Sequence, residues 1–102
     1  MKEYERLKML EYPGGKLDIV IDSDTATEID DPFAIAYALL SPERLNVKAI
    51  YAAPFAMNAR AQDPKKGMLL SYKEIQHILA LMKGNCSPDV RVCRGSEQYM
   101  TE

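Results

Sequence analysis

The chain has 102 residues and a formal net charge of −2, with 47% apolar and 27% charged side chains. That fits one small globular domain or a piece of a larger one. It excludes a general nucleic-acid binder, because no basic stripe exists to neutralise phosphates, and no apolar run approaches the ~20 residues that cross a bilayer.

The first twelve residues, MKEYERLKMLEY, are too charged for a secretory apolar core, so a cytoplasmic location is the default expectation. Residues 1–15 read as a lead-in, a frayed helix or an extended segment, broken at Pro13-Gly14-Gly15. Residues 16–102 then form the folded unit. Lys16–Asp22 predicts a strand rich in β-branched residues. Its unbroken Ile19-Val20-Ile21 run implies a sheet covered on both faces.

Pro32–Leu40 predicts a buried helix with Phe33, Ala36, Tyr37 and Leu40 along its inner side, capped by Asp30 or Asp31. Asn46–Ala53 is a second strand, and Phe55–Gly67 reads as a polar surface loop. Met68–Lys83 is an amphipathic helix with Tyr72, Ile75, Leu79 and Met82 on one stripe, stopped at Gly84-Asn85. Val90–Arg94 is a third strand. The fold class is therefore α/β, a β-α-β-α-β part of an open, mostly parallel, Rossmann-like sheet with right-handed crossovers. Three strands with two helices leave one sheet edge and one helix-free face exposed, so self-association or pairing with a further portion is expected.

Open sheets of this kind bind ligands beyond the carboxyl ends of their strands. The loops after all three strands meet at that edge. The first of them, Asp22–Asp31, reads DSDTATEIDD and gathers Asp22, Asp24, Asp30 and Asp31 around Glu28. Carboxylates so close repel one another, and a hard cation with oxygen ligands relieves the repulsion. One or two of them could instead serve only as helix caps.

Known acidic motifs narrow the reading. An Asp-x-Asp-x-Thr phosphatase motif fails at Ala26, and an EF-hand fails because its sixth and twelfth positions would be Thr27 and Phe33. No Gly-rich phosphate loop is present.

A strand ending in Asp-x-Asp, a short turn and then Asp-Asp opening an apolar helix resembles the inosine–uridine-preferring nucleoside hydrolases. The likeness extends through Ser41-Pro42-Glu43, the strand Val47–Ala53 and Arg94-Gly95-Ser96-Glu97. The loop is two residues longer than the common Asp-x-Asp-Pro-Gly-x-Asp-Asp form, and Ala53-Pro54-Phe55 replaces the usual Gly-Asn after the second strand. The resemblance implies a glycosidase of nucleoside catabolism that cleaves ribonucleosides to ribose and base. Asp24 and Asp31 would bind Ca2+, with Asp24 also taking a proton from the attacking water. Asp30 would hold ribose hydroxyls, Asn58 would stand in for the ribose-contacting Asn, and Asp22 would brace the loop. The remaining ligands, the leaving-group acid and the base contacts lie later in that family, so this chain alone is expected to be inactive. The alternative is a non-catalytic α/β module that binds a divalent cation or a protein partner.

Other residues have plainer expectations. His77 falls on the solvent side of its helix. Cys86 and Cys93 read as two reduced thiols. Tyr51 and Phe55 read as core rather than base-stacking groups, Met57 and Met68 as packing. Pro64-Lys65-Lys66-Gly67 reads as a solvated loop rather than an anion site.

Overall fold

The computed structural model describes residues 1–56 and 60–101. In chain order the elements are α1 (Glu3–Met9), β1 (Leu17–Ser23), α2 (Asp30–Leu39), β2 (Leu45–Ala52), α3 (Pro64–Leu81) and β3 (Arg91–Arg94). The strands form one sheet of order β1-β2-β3, and both neighbouring pairs are parallel. The α/β class and the open parallel sheet agree with the reading from sequence.

Both crossovers step the same way across the sheet. With right-handed connections, α2 and α3 must then lie on one face. Their buried side chains Ile35, Ala38, Leu39, Met68, Ile75 and Ile78 form a single core with Val47, Ile50 and Ala52 of β2. Ile19 and Ile21 of β1 and Val92 of β3 pack against that core.

The opposite sheet face is uncovered, which corrects the expectation that both faces of β1 are buried. Val20 is 60% exposed and Tyr51 is 40% exposed on that side. Tyr51 is therefore not core, whereas Phe55 is, packed with Ala26 and Ala61. β2 carries one extra residue opposite β1, because Ile19 pairs with Val47 while Val20 pairs with Ala49. Lys48 is the bulged residue, and it is exposed.

Three helix expectations are revised. In α2 the inward side is Ile35, Ala38 and Leu39, while Phe33, Tyr37 and Leu40 face outward. The helix is apolar all round, so its periodicity does not choose a face. Neither Asp30 nor Asp31 caps it; both lie within its first turn behind Ile29, and Pro32 follows in that turn. α3 starts at Pro64, because the Asp63 carboxylate accepts the Lys66 amide at 2.9 Å and Pro64 opens the helix. The segment Pro64–Gly67 is thus a helical turn, not a loop.

α1 is a short surface helix with Arg6 paired to Glu3 at 2.6 Å, and none of its residues is buried. The contact holds the Glu3 carboxyl below its ordinary range. A turn containing Gly15, at φ +75°, joins α1 to the sheet.

Candidate functional site at the carboxyl edge of the sheet

The loop after β1 is held by short hydrogen bonds from small hydroxyl side chains. Ser23, the last residue of β1, is buried and donates to the Asp31 carboxylate at 2.6 Å. The Ser23 and Thr25 hydroxyls also lie 2.7 Å apart, and Thr25 is buried. The Ser23–Asp31 contact ties the strand end to the first turn of α2 across eight residues. The Thr27 amide donates to the Asp24 carbonyl at 2.8 Å, which curls the chain into a turn.

Two contacts anchor the far side of the loop. The Ala26 amide donates to the buried Ser71 hydroxyl of α3 at 3.1 Å, and Arg60 donates to the Ala26 carbonyl at 3.1 Å. A polar pocket of about 450 Å³ opens there, lined by Thr25, Thr27, Glu28, Arg60 and Glu74 among others.

The other loops join the same edge. The Ala53 amide donates to the Ser23 carbonyl at 2.9 Å, and the Gly95 amide to the Ala52 carbonyl at 3.0 Å. Gly67 lets the first turn of α3 approach the chain after β2, since a Cβ there would stand 1.8 Å from the Phe55 carbonyl oxygen. Lys65 reaches Glu97 at 3.7 Å, linking α3 to the segment after β3.

Of the expected site residues, Asp24 and Asp31 are half-buried at this edge. Asp30 is exposed in the first turn of α2. Asp22 is exposed on the open sheet face, in register with Tyr51. The loop's bracing hydrogen bonds come instead from Ser23, Thr25, Ser71 and Arg60. Asn58 lies outside the described residues, as does Met57. His77 is exposed beside Glu74, 3.8 Å away. Cys86 and Cys93 are free thiols.

The donor chemistry of Asp24 and Asp31 suits a hard cation, but calcium takes six to eight oxygens. Among the described residues no group of three or more His, Cys, Asp or Glu side chains converges as a metal site. The Asp24 and Asp31 carboxylates alone fall short of that number. No described helix is long and apolar enough to cross a membrane.

Ser23 and Ser71 belong to the site without belonging to its acidic pattern. Ser71 carried a readable signal, because it falls on the inward stripe of α3 with Met68, Ile75 and Ile78. A hydroxyl at such a position needs a partner. Comparison with protein-family models, curated proteins and solved structures finds no match.

Proposed function

We propose that this chain carries part of the catalytic edge of a nucleoside N-ribohydrolase. The reading rests on the Asp-x-Asp and Asp-Asp spacing. The observation that supports it best is the Ser23–Asp31 hydrogen bond, 2.6 Å long, which draws the start of α2 onto the end of β1. Asp24 and Asp31 thereby share one sheet edge, where open α/β sheets bind ligands.

In this reading the bond between ribose C1′ and the base nitrogen breaks as a water oxygen bonds to C1′. The base leaves with a proton. Asp24 accepts a proton from the attacking water, and Asp31, fixed by Ser23, helps hold the sugar side of the site. Asp30, exposed beside it, hydrogen-bonds ribose hydroxyls. The carboxylates together favour the positive charge that develops on the sugar. Calcium, when bound by Asp24 and Asp31, would supply a hard Lewis acid that orients the diol and makes water more acidic.

Release of ribose from inosine and uridine tests the proposal, using the 102-residue chain and the product of any longer reading frame that contains it. Release by either protein that falls at least ~100-fold in Asp24→Ala is the expected result. Unchanged release in that variant removes Asp24 from the chemistry.

The second reading is a module that binds a divalent cation or a protein without catalysis. Calorimetry separates the two. Tight calcium binding by the 102-residue chain without ribose release supports the module.

A further inference from the structure

Resting on the reading of Asp31 as a group that holds a cation or the sugar, we infer that Thr25 is a positioning residue for it. Thr25 acts through Ser23, so that one oxygen of the Asp31 carboxylate is held and the other is left for a ligand.

The last residue of β1, the loop after it and the first turn of α2 each supply one member of a single hydrogen-bonded chain. Ser23 Oγ stands 2.6 Å from Asp31 Oδ2 and 2.7 Å from Thr25 Oγ1. A carboxylate has no proton to give, so the single hydroxyl proton of Ser23 points at Asp31. Towards Thr25 the serine oxygen can then only accept, and the Thr25 hydroxyl must donate. The direction is fixed along the whole chain, from Thr25 to Ser23 to Asp31. Hydrogen bonds that run one way polarise one another, so the bond onto the carboxylate is strengthened by the one behind it.

Burial decides which member sets that direction. Thr25 is 1% exposed and Ser23 8% exposed, while Asp31 is half-buried. The inner end of the chain is closed to water and the outer end is not. A serine hydroxyl alone rotates to suit its surroundings. With the Thr25 proton on its oxygen, Ser23 keeps its own proton aimed at α2. Threonine suits this post because its branched Cβ is stiff at χ1, so the packing that fixes its methyl also fixes its hydroxyl.

The consequence lies at Asp31. Oδ2 is engaged, and Oδ1 accepts no hydrogen bond among the described residues. The Asp24 side chain has no comparable brace among them. The two carboxylates are therefore not equivalent: Asp31 is preset from the strand end, and Asp24 is free to follow the ligand. Groups that orient a ligating side chain from behind are worth about ten- to a hundredfold in affinity.

NMR of the 102-residue chain, read at the Ser23 hydroxyl proton and the Asp31 carboxyl carbon, tests the proposal. Two variants separate the hydroxyl from the shape. Thr25→Val keeps the shape and removes the hydroxyl, whereas Thr25→Ser keeps the hydroxyl and loses a methyl. The wild type should show a deuterium isotope shift at the Asp31 carbon from the Ser23 hydroxyl, and a carbon signal that moves with added calcium chloride. Thr25→Val should speed exchange of the Ser23 hydroxyl and weaken the calcium titration, each on the order of tenfold, and Thr25→Ser should restore both. The reverse order, with serine worse than valine, would show that Thr25 only fills space and overturns the proposal. An isotope shift that survives unchanged in Thr25→Val overturns it too. If the wild type shows the isotope shift but calcium leaves the Asp31 carbon unmoved, the reading of Asp31 as a cation ligand falls, and with it the role of Thr25 towards that ligand.

Discussion

Ser23 connects more of the candidate site than any of the carboxylates does. Its one hydroxyl lies within hydrogen-bond distance of both Asp31 and the buried Thr25. Ser23→Ala should therefore cost about 1–3 kcal/mol in urea unfolding, because two polar partners lose their contact at once. Gly67→Ala separates two effects of opposite sign. A helical glycine replaced by alanine gains about 1 kcal/mol of helix propensity. Here the added methyl would stand 1.8 Å from the Phe55 carbonyl oxygen, so main chain must move. We expect a net loss of about 1–3 kcal/mol, read from the urea midpoint; a gain would mean that the turn after β2 yields freely. At this scale the acidic residues of the site were legible in the sequence, because carboxylates announce themselves by clustering. The hydroxyls that hold them were not, since a serine between two aspartates carries no pattern of its own.

The elements divide in the same way. All three strands could be read within one residue of their ends, because β-branched runs bounded by Pro, Gly or Ser have few other outcomes. α3 begins four residues before the expected Met68, because Asp63 is a cap and Pro64 a residue already set for the first turn. Asp63→Ala should cost about 1 kcal/mol and loosen that turn, measurable as faster amide exchange at Lys66 and Gly67. Unchanged exchange there would mean that Pro64 alone sets the helix start. In α2 the sequence offered two apolar stripes, and only tertiary packing decided between them. α2 packs against β2 and α3 through Ile35, Ala38 and Leu39, which leaves the larger Phe33 and Tyr37 turned away.

The whole molecule is extended for its length. Its radius of gyration is 15.9 Å, where a compact chain of this size has about 13 Å. α1 is one cause, because it has no buried residue. Removing residues 1–10 should change the unfolding free energy by less than ~0.5 kcal/mol. A larger loss would show that this helix packs on something in solution. The α/β class was legible from the alternation of periods, and the bare sheet face from the ratio of two helices to three strands, although the apolar run of β1 pointed the other way. A run such as Ile19-Val20-Ile21 describes a strand suited to cover on both sides, and the sequence of one segment does not supply the cover.

The bulge at Lys48 gives β2 one residue more than its pairing with β1 uses, and the count of residues matters differently on its two sides. Val47, Ile50 and Ala52 share the helix side at intervals of three and then two. Removing Lys48 would restore strict alternation and leave Ile50 and Ala52 under the helices and Tyr51 on the open face. Removing a residue beyond the bulge would do the opposite: without Tyr51, Ala52 would cross to the open face and its carbonyl would leave the position where it receives Gly95. The length of β2 is thus fixed on the far side of the bulge and spare at position 48 alone.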